Sequence, residues 1–291
     1  MPVMRKGFPA PAGVLLLLLV ACTSGCASRL LLVPEGSHRY AGRRPEKGVE
    51  PVVVENDDGF ELGGLLVAVP GDHGTVMVSG GNAMGRHQTY HYTKFLHGHG
   101  FRVLVFSFQG YDDNGGGASL STLLRDATLF HDELRRRFPG EPVVYLASSI
   151  STAPALCLPS RRPDLAGVIL EGTINIKTIP FAKVRDWWPL WPLAPLTLPF
   201  AAGVSLAVPG ELSAGSCASE AGNVPALFLH HPRDVMTTYA GARDIYEEYG
   251  GPKHFEILDS RNAQYHLLLG RDLRAQDVVL HAIGDWLGPK D

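Results

Sequence analysis

The chain has no excess of positive charge. Its 26 Lys and Arg stand against 29 Asp and Glu, for a formal charge of −3, and no basic stripe appears. That excludes the electrostatic footprint of a nucleic-acid binder. Cysteine is scarce, 4 in 291 residues, which excludes a disulfide framework as the source of the fold. Internal repeats and low-complexity tracts are missing, which sets aside solenoids and disordered arrays. The longest aliphatic run, "VLLLLLV" from Val14 to Val20, falls far below the roughly 20 residues of a membrane-spanning helix. What is present, 45% hydrophobic and 19% charged residues, suits a globular protein with a substantial core. The length suits one large domain or two small ones.

The short apolar run has a context. Arg5 and Lys6 precede it and "ACTSGC" follows, the order of a secretory signal: basic n-region, apolar core, small residues. "LVAC", Leu19 to Cys22, resembles the bacterial lipoprotein signal, in which the Cys is lipidated and becomes the mature N-terminus. Cys22 is therefore the expected lipidation site. Cys26 in "TSGC" is the weaker candidate, because Thr23 stands where an aliphatic residue is usual. A plain secretory signal with two incidental cysteines is the alternative. The expected organisation is a signal peptide over 1–21, a tether over 22–50 and a folded domain over 51–291. Acyl chains on one N-terminal cysteine would hold that domain at a lipid membrane of the bacterial cell envelope. In an oxidising setting Cys157 and Cys217 could pair. Cys157, however, falls in an apolar helical stretch and reads as a small buried hydrophobe, and sequence cannot show the geometry a bridge demands.

From about residue 51 the pattern is regular. "PVVVEN" and "FELGGLLVAVP" read as two strands joined at Asp57-Asp58-Gly59. "TVMVSGG", "RVLVFSF", "PVVYLASS", "AGVILEGT", "VPALFLHHP" and "KHFEILD" read as further strands. "HQTYHYTKFLHGHG", "LSTLLRDATLFHDELRRRF", "ISTAPALCL", "TTYAGARDIYEEYG" and "AQDVVLHAIGDWL" read as helices. The run from about 174 to 223 breaks the alternation. It holds "DWWPLWPLAPLTLPF", whose prolines forbid one long helix, and is expected as an irregular cap lying over the sheet. Uninterrupted apolar strands alternating with helices predict an α/β protein: a mostly parallel central sheet, helices on both faces, and an antiparallel edge. Ligands in such a sheet bind beyond the carboxyl ends of the strands, so chemistry is sought directly after each strand.

Four strand ends carry candidates: "SGGNAMG" after Val78, Ser148-Ser149 after Ala147, "HHPRD" ending at Asp234, and "DSRNAQYH" ending at His266. A Ser, an acid and a His after successive strands is the chain order of the α/β-hydrolase triad. On these segments the chain resembles the α/β hydrolases, most of all the secreted or membrane-anchored branch related to monoacylglycerol lipases and serine aminopeptidases. The resemblance runs from about Leu30 to the C-terminus. "GTVMVSGGNAMGRHQTYHYTKFLHGHGFRVLVFSFQGYDDNGG" is similar to that branch's strand, His-Gly-Asn loop, helix, strand and Arg-Gly-Tyr-Gly loop. "YLASSISTAPAL" stands at the nucleophile elbow. "ALFLHHPRDVMTTYAGARDIYEEY" and "KHFEILDSRNAQYHLLL" resemble the segments carrying the triad acid and the triad His. The resemblance implies an α/β-hydrolase fold with a short Pro/Trp-rich cap, and a serine hydrolase that needs no cofactor or metal. Ser149 would attack an acyl carbonyl, His266 would take the proton, and Asp234 would hold the imidazole. The backbone N–H of Ile150 and one from the Gly81-Asn82-Ala83 loop, assigned to Asn82, would form the oxyanion hole. Gly81, Trp187, Trp188 and Trp191 are expected to line the substrate site, the tryptophans as an acyl-binding wall or simply as a packed cap.

The motifs depart from the family's pattern. Ala147, Ser148, Ser149, Ile150 and Ser151 align with Gly-x-Ser-x-Gly, so small residues replace both glycines of a strained turn. Ser79-Gly80-Gly81 replaces His-Gly, Pro232-Arg233 precede Asp234, and the approach to His266 is longer than usual. Each residue also has a plainer reading. Ser149 fits a helix N-cap, and Ser148 becomes the exposed serine if the register slips by one. Asp234 fits a helix cap and His266 a surface loop. His87 and His91 lie four apart on a helix, but Gln88 follows His87, so solvent-facing histidines are expected rather than a metal site. "GGNAMGRH" lacks the Lys and hydroxyl of a phosphate loop. His230-His231 reads as the end of a strand. Two functions stay open: a membrane-tethered hydrolase of carboxylic or thio esters acting on a small acyl ester, or an α/β-hydrolase fold without turnover that binds or scaffolds. An amide-cleaving peptidase differs from the first only in its leaving group.

Overall fold

The computed structural model describes residues 27–40, 42–69, 74–186, 194–234, 236–258 and 267–288. Among these, the strands are β1 (Glu50–Glu55), β2 (Glu61–Val67), β3 (Thr75–Ser79), β4 (Arg102–Phe106), β5 (Val143–Ser148), β6 (Gly167–Glu171), β7 (Ala226–His230) and β8 (Lys253–Ile257). They form one sheet in the order β1-β2-β4-β3-β5-β6-β7-β8. The β1–β2 and β2–β4 pairs are antiparallel and all the others parallel. The expected hairpin edge is there: Asn56 Oδ1 accepts the N–H groups of Asp58 and Phe60, and Gly59 supplies φ +77 at the turn.

β3 to β7 are buried at every position, which is why they read as unbroken apolar runs. Alternation of side chains divides them between two cores. Met77, Tyr145, Leu170 and Phe228 enter one, with α3 (Leu123–Arg137), α4 (Thr152–Arg161) and α8 (Tyr239–Glu248). Val76, Val144, Ile169 and Leu227 enter the other, with α1 (Arg86–Tyr92), α2 (Lys94–Gly98) and α9 (Leu273–Leu287). Helix α3 buries Leu123, Ala127, Phe130 and Leu134, the spacing of one helical face, and Phe130 stacks on Phe106 with ring centroids 4.5 Å apart. Burying such side chains stabilises the fold by roughly 1.5–3 kcal/mol each.

Two expectations are revised. The 174–223 run is not irregular where it is described. It holds α5 (Ile179–Asp186), α6 (Ala194–Leu206) and α7 (Ala214–Ser219), with 3₁₀ turns at Ile176–Thr178 and Gly210–Leu212. Pro180 and Pro195 stand second in their helices, where no intrahelical N–H bond is lost. Pro199 lies inside α6, so proline is accommodated within this run without abolishing helix. Cys157, read as a lone buried hydrophobe, is instead bridged to Cys217 across a sequence separation of 60. The bridge joins α4 to α7 and closes the loop that contains α5 and α6. A closed loop of that length contributes on the order of 4 kcal/mol by constraining the unfolded chain.

The stretch read as a tether is part of the fold from residue 27 onward. Ala27, Leu31 and Leu32 are buried in the first core, Ser28 Oγ accepts the Leu120 N–H at 3.1 Å, and Pro34–Tyr40 form a 3₁₀ turn. A segment this short shows no period, so its apolar residues gave no signal in the sequence. No described helix is long and apolar enough to cross a membrane.

Candidate active site at the carboxyl edge of the sheet

Strand β5 carries Ser148 to the sheet's carboxyl edge, and α4 begins four residues later. Between them Ser149 has φ +55. A helix N-cap is extended backbone, so capping does not account for this conformation. A left-handed non-glycine residue costs of order 1–3 kcal/mol and persists only where its surroundings enforce it. Ser148, one residue before, is extended at φ −122, and its Oγ donates to the buried Glu171 at 2.7 Å. The turn therefore presents Ser149, not Ser148, at the edge.

The substituted glycine positions are accommodated. Ala147 is fully buried in β5. Ser151, also fully buried, donates its Oγ to the Gly80 carbonyl. The hydroxyl that stands where the family has glycine thus ties the elbow to the loop after β3. That loop lies against the serine: a methyl group on Gly81 would stand 3.3 Å from Ser149 Cβ and 3.0 Å from Leu267 Cδ1. Four described non-glycine residues are left-handed, and three of them, Ala83, Ser149 and Leu267, belong to these segments. Backbone strain is concentrated where sequence order placed the chemistry.

The Asn82 side chain is taken up by the N-terminal segment and Tyr111. Its Oδ1 accepts the Val33 N–H at 2.7 Å and the Tyr111 hydroxyl at 2.8 Å, and its Nδ2 donates to the Leu31 carbonyl at 2.7 Å. Any share of Asn82 in an oxyanion hole falls to its backbone. Ile150, buried, is the residue after the serine at the start of the helical turn.

Asp234 follows β7 and is 8% exposed. The His231 carbonyl accepts its N–H, so Pro232-Arg233 form the expected short turn. Its Oδ1 accepts the N–H groups of Met236 and Thr237 at 2.8 and 3.0 Å, and its Oδ2 accepts the Thr237 hydroxyl at 2.8 Å. These bonds fix the carboxylate on the edge. A recess there is lined by Asp234, Glu171, His230, His231, Leu267 and Leu268. His230 is buried, its Nε2 2.9 Å from the Thr237 carbonyl oxygen. His266, Trp187, Trp188, Trp191 and Cys22 lie outside the described residues.

Glu171, the last residue of β6, was missed in the sequence. The signal was a lone acid closing the apolar strand "GVILE", one strand from Ser149. It pairs in register with Ser148. One correction concerns a histidine. His87 is not solvent-facing: it is buried, with Nε2 3.1 Å from the Arg43 carbonyl oxygen, and burial holds its imidazole below the ordinary range. His91 is exposed, as expected, 3.6 Å from Glu46. Among the described residues no group of three or more His, Cys, Asp or Glu could hold a metal ion.

No family model matches the chain. It is 34% identical over 143 residues to an uncharacterized protein of Mycobacterium tuberculosis, covering 48% of this chain and 50% of that protein. It is 26% identical over 220 residues to the lysophosphatidylserine lipase ABHD12 of Mus musculus, covering 70% of this chain and 52% of that one. The chain thus spans about half the length of the curated relatives it matches. The solved structure of the Pyrococcus furiosus esterase Pf2001 superposes with a TM-score of 0.67 at 15% identity, covering 85% of this chain and 98% of that one. The strand order and this superposition together show that the chain has the α/β-hydrolase fold.

Proposed function

We propose that the protein is a membrane-tethered serine hydrolase that cleaves carboxylic or thio esters through an acyl-enzyme. The observation that carries this reading is the left-handed Ser149 at the turn between β5 and α4. Its Oγ attacks the acyl carbonyl, His266 takes the proton and later passes it to the leaving group, and Asp234 orients the imidazole and stabilises its charged form. The backbone N–H of Ile150 and one from the Gly81–Ala83 loop receive the oxyanion; losing one such donor typically costs about 3–4 kcal/mol of transition-state stabilisation. The esterase and lipase names of the similar proteins support the reaction class. An acyl-lipid substrate agrees with the cap, which presents Phe181, Leu198, Phe200 and Leu206 to the surface. The anchor in this reading is an acylated Cys22.

A fluorophosphonate probe tests the chemistry. It is expected to label the wild-type protein and not Ser149→Ala; a well-folded protein that takes no label would instead be a binding or scaffold protein on this fold. Hydrolysis of p-nitrophenyl acetate against an aminoacyl p-nitroanilide separates esterase from peptidase. Cys22→Ser is expected to move the protein out of the membrane fraction, and unchanged fractionation removes the anchor from the proposal.

A further inference from the structure

Glu171 is 2% exposed, yet it stands at the end of an apolar strand. Burying a carboxylate is costly, and an apolar side chain would serve the strand's stability as well. What the carboxylate adds is a fixed geometry among three donors. Ser148 Oγ donates to Oε2 at 2.7 Å. The backbone N–H of Leu269 donates to Oε1 at 2.8 Å. The Tyr92 hydroxyl reaches both oxygens, at 2.7 and 2.9 Å. Burial first, then the neighbouring Glu171 charge, hold the Tyr92 phenol well above its ordinary range, so it stays a donor. Tyr92 also lies against the same segment: a methyl group on Gly270 would stand 2.4 Å from its Cδ2.

These donors come from three places. Ser148 immediately precedes the strained Ser149, Tyr92 ends α1, and Leu269 is three residues after His266. Those three residues span at most about 11 Å of chain. We propose that Glu171 is a positioning residue: its carboxylate ties the nucleophile turn, through Ser148, to residues 267–269, through the Leu269 amide, and so fixes the histidine-bearing end of the site against Ser149. The catalytic consequence rests on the triad reading above; the tie itself does not.

The test compares E171Q with E171A. Gln keeps the volume and an oxygen for the Leu269 N–H, and the hydroxyls of Ser148 and Tyr92 can turn to accept from its amide. Ala keeps none of these. On p-nitrophenyl acetate E171A is expected to lose about 100-fold in kcat at unchanged KM, while E171Q stays within about tenfold of wild type. In hydrogen exchange the amides of residues 267–271 are expected to exchange at least about tenfold faster in E171A, with β3 and β5 unchanged. Exchange needs no turnover, so it decides the tie even if Ser149 takes no fluorophosphonate and the hydrolase reading falls. Wild-type exchange at 267–271 in folded E171A overturns the inference. So does wild-type kcat in a protein whose Ser149 is labelled. Should E171A not fold, S148A and Y92F, which each remove one donor, are read by the same two measurements. About tenfold in kcat for S148A, with faster exchange at 267–271 in Y92F, sustains the inference, and no change in either overturns it.

Discussion

The nucleophile turn and the loop after β3 meet at Ser149, but they are held by different means. The turn lies between β5 and α4, two neighbouring elements that are buried almost throughout, and α4 is cross-linked to α7. Its strained residue is enforced by continuous local structure. The loop has a local turn, with the Met84 N–H donated to the Gly81 carbonyl, but it also relies on distant residues. Its Asn82 is held by Leu31 and Val33, some 50 positions upstream, and by Tyr111. Gly36 backs directly onto Ala83, where an added methyl would stand 2.5 Å from the Ala83 Cβ. Ser149 is thus held by continuous local structure, whereas the facing loop also leans on hydrogen bonds to residues 31–33, part of the stretch expected as a tether.

This contrast can be tested by separating stability from activity. The largest stability effect is expected from Cys157→Ala combined with Cys217→Ala, which should lower the unfolding free energy by about 4 kcal/mol in urea titrations. Far below the melting temperature kcat should hold within about twofold, because packing and β5 still enforce the turn. A large loss of kcat would show that the elbow depends on its cross-link. Next comes Gly81→Ala, whose methyl must displace Leu267 or Ser149. About 100-fold in kcat, or roughly 2.7 kcal/mol, is expected with little change in the melting curve.

Asn82→Ala inverts the disulfide result. It should cost about 1–2 kcal/mol of stability and about tenfold in kcat, with KM nearly constant. Equal losses of kcat and 1/KM would mean that the N-terminal segment shapes substrate binding and not the oxyanion side. The smallest effect is expected from Ser151→Gly. Restoring the family's glycine should lower kcat by about threefold, because it cuts the bond to Gly80 that links the two regions. A gain in kcat would show that Ser151 only substitutes for glycine and holds nothing.

The core elements were readable because each carries its own period or an apolar run bounded by turns. β3 through β7 and α3 are examples. Chain order placed Ser149 and Asp234 at the carboxyl edge, since each follows a strand that the pattern marks. The 174–223 run does not read as helical because it is dense in proline, yet Pro180 and Pro195 stand at helix starts and Pro199 lies inside α6. The disulfide, the packing of residues 27–40 and the burial of His87 were hidden, because each depends on partners that no local pattern names.

By itself the sequence determined the alternation of strand and helix and the carboxyl edge at which Ser149 and Asp234 stand, because hydrophobic period and chain order are local properties. Only the tertiary structure decided that Ser149 adopts the strained conformation, that Ser151 and Asn82 brace the facing loop, and that Glu171 joins β6 to residues 267–269. These are contacts between segments tens of residues apart, and a buried donor or acceptor finds its partner only when the sheet brings those segments together.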